Sequence, residues 1–275
     1  MGIKSATLIY FSPTYATKRV LCSIAEGMRI ESRQDIDLSL VDKKPFLIKT
    51  DIALLGVPVY GKRIPKHLYN FLNLIKAEGV PAVIIAVYGN VNAGFALDEL
   101  FSIVRRNGFC VVARGSFIGR HSFSTMEVPL ANDRPNFDDL KTAKEFGSKI
   151  ERKMGDYECM GEECCIHQSL DGILVGNILN IFHSFLPQFS NRIFLKTPKV
   201  NVDICTRCLT CVKQCPRKAI DPETLRIDKN LCIGCLRCAR ICPSKAWNVE
   251  YKHGFLIRTF FRWKNAAQKH PSMDL

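Results

Sequence analysis

The chain has 275 residues, of which 47% are hydrophobic and 24% charged, with 13 cysteines and a formal charge of +13. That length admits one large domain or two smaller ones, and the apolar content excludes an intrinsically disordered chain. Thirteen cysteines behind an N-terminus with no secretory h-region point to metal ligation in a reducing compartment, so a cytoplasmic location is expected.

Residues 1–155 alternate strand and helix signals. Apolar, β-branched runs at 7–11, 36–41, 52–59, 82–87 and 109–117 predict strands, and helical periodicity predicts helices at 17–29, 65–77, 95–107 and 138–153. Five such units predict an α/β doubly wound parallel sheet, in which ligands bind at the carboxyl ends of the strands. That rule selects four loops. In the first, Ser12-Pro13-Thr14-Tyr15-Ala16-Thr17, the N–H groups of a helix start and the hydroxyls of Ser12, Thr14 and Thr17 suit a phosphate. Without a ligand the same hydroxyls would serve as a helix cap. In the second, Gly56 to Pro65, the run Pro58-Val59-Tyr60-Gly61 makes a turn able to lay an aromatic over a flat ring. In the third, Tyr88, Gly89 and Asn90 offer backbone and amide groups to the edge of a heterocycle. The fourth runs from Ser116 to Ser124, including Arg120, His121 and Phe123, and is placed to close over the same crevice.

Residues 156–200 read as a helical linker. Leu170, Leu174, Ile178, Ile181, Phe185 and Phe189 fall on one helix face, while Asp171, Asn177, Asn180 and His183 argue against a bilayer span. Cys159, Cys164 and Cys165 fit no cluster spacing and are expected to be unligated thiols. Cys22 and Cys110 are expected in the core.

The strongest signal lies at 205–243. Cys205, Cys208, Cys211 and Cys215-Pro216 are followed, at a constant offset of 27, by Cys232, Cys235, Cys238 and Cys242-Pro243. Lys218-Ala219 and Lys245-Ala246 repeat at the same offset. Three cysteines two residues apart can wrap one corner of a 4Fe-4S cubane, while the fourth, ahead of proline, belongs to the other cluster. This assigns Cys205, Cys208, Cys211 and Cys242 to one cluster and Cys232, Cys235, Cys238 and Cys215 to a second. Zinc needs four cysteines and has no use for eight in this repeat.

The tail, 248–275, mixes Phe255, Phe260, Phe261 and Trp263 with Arg258, Arg262 and Lys264. It suits a membrane surface, but packing against the linker to brace the two domains is the preferred reading. The six histidines form no ligand spacing, and no Ser–His–Asp or paired-carboxylate arrangement is legible. Two clusters with their thiolates contribute about −2 each and a flavin phosphate about −2, leaving about +7. The positive excess is spread, with no run of five like charges, so nucleic acid is not the expected partner. A basic surface steering an acidic redox protein is.

Residues 200–247 resemble the bacterial two-cluster ferredoxins, with Leu209 and Leu236 where many of those have glycine; leucine there is expected to shield the clusters from water. The N-terminal half resembles a flavodoxin, which implies a strand order of 2-1-3-4-5. The whole chain resembles the flavodoxin–ferredoxin fusions of the EFR1 family of anaerobic microbes. That resemblance rests on Ser12-Pro13-Thr14 with Thr17, and on Gly56-Val57-Pro58-Val59-Tyr60-Gly61 with Arg63-Ile64-Pro65. It implies FMN at Ser12, Thr14, Tyr15, Ala16, Thr17, Pro58, Val59, Tyr60, Gly61, Tyr88, Gly89 and Asn90. Tyr15 and Lys62 stand where the family has glycine. If Tyr15 must take a positive φ, the strain is on the order of 1–2 kcal/mol, enough to weaken FMN about tenfold.

The expectation is an electron-transfer protein carrying two 4Fe-4S clusters and FMN, relaying electrons between a donor and an acceptor protein with no catalytic residue of its own. The alternatives are a flavin-dependent reductase with its own small substrate, with Tyr15, Tyr60, Tyr88 and His121 lining its pocket, and an iron–sulfur redox sensor whose flavodoxin-like domain is empty.

Overall fold

The computed structural model describes residues 3–39, 45–125, 128–156, 165–166, 194–252, 259 and 269–275. β1 (Ser5–Tyr10), β4 (Ile52–Pro58) and β6 (Pro81–Tyr88) are buried almost throughout. Central parallel strands must be apolar on both faces, which is why these three were legible as continuous runs. With β2 (Ser32–Asp37) and β7 (Cys110–Ile118) they form a parallel sheet, joined at its far edge by the antiparallel β10 (Ser272–Asp274). The sheet order is β10-β7-β6-β4-β1-β2, so the five parallel strands follow the flavodoxin-like order 2-1-3-4-5.

Helices cover both faces. α1 (Ala16–Gly27) and α4 (Phe137–Asp156) close one of them around Leu8, Val20, Leu21, Ile24, Phe117 and Phe146. α2 (Leu68–Leu72) and α3 (Ala96–Arg106) close the other around Leu55, Leu68, Leu100 and Val104. Each such side chain contributes about 1.5–3 kcal/mol by leaving water. α4 starts on a reciprocal cap: Asp139 N donates to Asn136 Oδ1 at 3.0 Å and Asn136 N to Asp139 Oδ2 at 2.9 Å.

Three local expectations shift. β2 begins four residues before the predicted 36–41, because it is a polar edge strand held by its ladder to β1 and not by apolar content. Residues 40–41 lie outside the described residues. The helix predicted over 65–77 ends at Leu72, since Ile75–Lys76 (β5) pairs in parallel with Phe46–Leu47 (β3). Cys110, expected in the core, and Cys165, expected as an unligated thiol, are joined in a disulfide. Ile166 N donates to Val111 O at 2.7 Å, which brings the two Cα atoms to 5.3 Å, within bridging range. The predicted linker helix, Cys159, Cys164 and the tail aromatics at 255, 260, 261 and 263 lie outside the described residues.

The C-terminal module contains β8 (Lys199–Val200), α5 (Thr210–Lys213), α6 (Arg237–Ile241) and β9 (Trp247–Asn248). β8 pairs with β9, and Ile220 bridges Ile227. Its own core is small: Cys211, Ile220, Leu225 and Trp247. A second cluster, Phe123, Val128, Leu130, Leu195 and Leu236, joins it to the loop after β7. Arg240 Nη2 donates to His121 O and Ser122 O at 2.8 and 2.9 Å, and the Tyr251 hydroxyl donates to Phe123 O. Among the described residues, no helix is long and apolar enough to cross a membrane.

Candidate functional site

The cysteine repeat folds as two copies of one local device. Leu209 and Leu236 take left-handed backbone conformations, φ 55° and 56°, at the N-caps of α5 and α6. A left-handed conformation is the one glycine takes most readily; here Leu236 packs in the cluster with Phe123 and Leu209 against Cys211 and Trp247. Lys218 and Lys245 are likewise left-handed, and each donates its N–H to the carbonyl of Cys215 or Cys242. The turn aims the next N–H at sulfur: Ala219 N lies 3.3 Å from Cys215 Sγ and Ala246 N 3.4 Å from Cys242 Sγ. The repeated Lys-Ala pair is therefore a sulfur-directed turn.

Cys215 shares with Cys232, Cys235 and Cys238 the lining of one small cavity. Burial pushes the Cys235 thiol up to about 12, with the nearby Cys232 and Cys215 adding to the effect, and burial likewise lifts Cys238. Cys211 is raised by burial and, more weakly, by Cys242. Cys208 is exposed, and its thiol is lowered by the hydroxyl and N–H of Thr210. Buried thiols held neutral in this way need a metal's positive charge to ionise. Among the described residues, no three or more His, Cys, Asp or Glu side chains converge on a point that could hold a single metal ion.

The second centre is a cleft of about 220 Å³ at the carboxyl ends of β1, β4, β6 and β7. Thr14, Ala16, Thr17, Pro58, Val59, Tyr60, Gly61, Tyr88 and Gly89 line it, as expected for strand-end loops. Gly56 lets Thr17 sit close: a Cβ there would meet Thr17 Cγ2 at 2.7 Å. Gly89 does the same for His121, whose Cδ2 would be 2.4 Å away. Tyr60-Gly61-Lys62-Arg63 is a tight turn with positive φ at both central residues and paired Tyr60 and Arg63 backbones. The buried carboxylate of Glu99 fixes its far side, accepting from Arg63 Nε, from Ile64 N at 3.0 Å and from the Tyr69 hydroxyl at 2.8 Å.

Three predicted residues are placed otherwise. Ser12 is buried and its Oγ accepts from Lys18 N at 3.1 Å, so it caps α1 from beneath the cleft. Asn90 is also buried, and its Oδ1 accepts from Lys269 N at 3.1 Å, tying the loop to the C-terminal segment. Tyr15 has φ 63° and is 48% exposed, with the Arg237 guanidinium 5.4 Å from its ring centroid. Its strain is already present in the folded chain, so it weighs on stability and not on flavin affinity.

Lys62, Asn92, Arg120 and Phe123 also line the cleft, from within the loops the sequence selected but not singled out there as ligand residues, and Phe194 lines it from outside those loops. Arg120 N–H donates to Arg134 O at 2.8 Å, while Arg120 Nε is buried with no hydrogen-bond partner. An arginine in a strand-end loop next to a phosphate-type loop was the available signal. An orphaned donor in the cleft wall, the open N–H groups of Ala16 and Thr17 at the start of α1, and the Thr14 and Thr17 hydroxyls fit an anionic, acceptor-rich ligand such as FMN.

The two centres adjoin. Burial lifts the Tyr60 phenol well above its usual range, and Cys235 adds to that shift. Leu236, next to Cys235, packs with Phe123 of the cleft.

Residues 197–243 match the family described as a 4Fe-4S dicluster domain. Among solved structures, the chain is similar to a flavodoxin from the domain Archaea (17% identity, TM-score 0.41, covering 55% of this chain and 99% of that one). It is similar also to oxidised flavodoxin 1 from Bacillus cereus (19%, TM-score 0.43, 54% and 98%). A third is the rubredoxin oxygen:oxidoreductase from the anaerobe Desulfovibrio gigas (14%, TM-score 0.38, 55% and 36%). No curated protein matches the chain. The strand order itself defines the first half as flavodoxin-like. The chain thus joins a flavodoxin-like α/β domain to a 4Fe-4S ferredoxin-type domain, an architecture of electron transfer.

Proposed function

We propose that this protein is an electron carrier of the EFR1 flavodoxin–ferredoxin type, with two 4Fe-4S clusters and one FMN. In this reading the flavodoxin-like unit spans 1–155, a helical linker 156–200, the cluster domain 201–247 and the tail 248–275. One cluster is held by Cys205, Cys208, Cys211 and Cys242, the other by Cys232, Cys235, Cys238 and Cys215. The observation that supports it best is the single cavity that Cys215 shares with Cys232, Cys235 and Cys238, with Cys242 near enough to Cys211 to raise its thiol. Thr14, Ala16 and Thr17 would hold the flavin phosphate, and Tyr60, Gly61, Tyr88 and Gly89 the ring, with the Arg120 cation at hand for negative charge. When bound, FMN would accept electrons in pairs and release them singly, one to each cluster. The +13 formal charge suits acidic donor and acceptor proteins of a cytoplasmic chain.

Anaerobic purification should yield about eight irons and eight acid-labile sulfides per chain, with FMN released by acid in unit stoichiometry. Zinc in place of iron would overturn the reading, and full iron without flavin would favour the sensor. A reductase has one observation in its favour, the presence of Arg120, His121 and Asn92 in the cleft wall. Turnover of a small oxidant by the reduced protein, lost on removing flavin, would establish it.

A further inference from the structure

Among the described residues, Arg237 has the most buried side-chain nitrogens without a hydrogen-bond partner. It is 3% exposed and lines the cavity of Cys215, Cys232, Cys235 and Cys238. Its Nη2 donates to Gln214 Oε1, and its guanidinium lies over the Tyr15 ring. Nε and Nη1 are buried with no hydrogen-bond partner. Among the described residues, no carboxylate pairs with it. A guanidinium in such a site is heavily destabilised unless acceptors or negative charge meet its donors. The other half of the repeat has Thr210 at the equivalent position, 27 residues earlier, where a neutral hydroxyl serves the exposed Cys208.

Building on the two-cluster reading above, we propose that Arg237 is a potential-setting positioning residue. Its unpaired N–H groups donate to sulfur of the cluster held by Cys215, Cys232, Cys235 and Cys238. A cluster with four thiolates gains one further negative charge on reduction, and a fixed cation beside it favours that state. The arginine therefore raises the potential of this cluster above that of its twin. Electrons on the chain then collect at the cluster beside the flavin cleft and not at the exposed one. Because the same guanidinium lies over Tyr15, it also links the cluster to the phosphate loop.

The test is an EPR-monitored redox titration of the holoprotein and of Arg237→Gln, with iron and sulfide measured on each sample. With iron and sulfide at wild-type levels, the substitution should shift one cluster at least tenfold toward the oxidised form at a given potential. That is a fall of about 59 mV for one electron, with the other cluster unmoved. No shift at full iron content would overturn the proposal, as would equal shifts in both clusters. A second measurement needs no variant: pulsed EPR of wild type carrying guanidino-¹⁵N arginine. A nitrogen coupling on the reduced, higher-potential cluster supports the assignment, and its absence there overturns it. Wild-type protein with no iron–sulfur stoichiometry would instead sink the cluster reading itself, a separate failure.

Discussion

The two halves of the cysteine repeat share ligand spacing, left-handed leucines and sulfur-directed Lys-Ala turns, yet their surroundings differ. In the first, Cys208 is exposed and a threonine is the nearest donor. In the second, Cys235 is buried, Leu236 packs against Phe123 of the flavodoxin-like domain, and an arginine replaces the threonine. Local sequence builds both ligand sets, whereas the neighbouring domain decides what each can meet. On the proposed ligation, one cluster faces outside partners and the other faces the flavin.

The sharpest way to break this comparison is to remove one sulfur from each half. Cys235→Ser should lose about half the iron and destabilise the protein by several kcal/mol, on the order of 10 °C in Tm, because it also opens the domain contact. Cys208→Ser should lower Tm distinctly less. Equal losses in both, read by iron assay and calorimetry, would make the halves equivalent.

Next come the twin leucines. Leu236→Ala should reduce stability by about 2–4 kcal/mol and Leu209→Ala by about half that, since only Leu236 is fully enclosed. Urea unfolding giving the reverse order would remove the shielding argument from the second half.

The interface adds a pH dependence. Burial lowers His67 to about 4, helped by Arg217 of the cluster domain, and lowers His121 to about 4, helped by Arg240. Both are then neutral in the fold while the unfolded chain, near 6.5, binds protons first. Stability is full above about pH 6.5 and is lost as pH falls toward 4, by about 1–3 kcal/mol per histidine. Thermal midpoints between pH 7.5 and 5 should fall in the wild type and fall less in His67→Phe. A flat wild-type profile would contradict the burial of these rings.

The smallest effect belongs to Tyr15→Gly. Relief of left-handed strain, on the order of 1–2 kcal/mol, is offset by losing the contact with Arg237 and by a more flexible unfolded chain. Stability should move by less than about 1 kcal/mol, and FMN affinity by little; a tenfold gain in affinity by fluorescence titration would show that the tyrosine obstructs the cleft.

The apolar central strands and the 27-residue repeat carried most of what was legible, because both are statements about nearby residues. β2 was shifted since a polar edge strand is defined by its neighbour. β10, the Cys110–Cys165 link and the use of Asn90 by Lys269 depend on residues 55 to 179 positions apart, for which no local pattern exists. Ser12 was legible as a helix-start residue, and its hydroxyl accepts from Lys18 N. Arg120 and Arg237 look like ordinary surface cations until the fold buries them.

The last three residues but one lie antiparallel along β7, and Arg114 reaches Asp274 at 2.8 Å. The polypeptide therefore leaves the sheet after α4 and returns to its edge, making the cysteine-rich unit an insert tied at both ends. Such double tethering keeps the unit at high effective concentration against its docking face. Removing the C-terminal strand would leave the cysteine-rich unit joined to the sheet on one side of its sequence only.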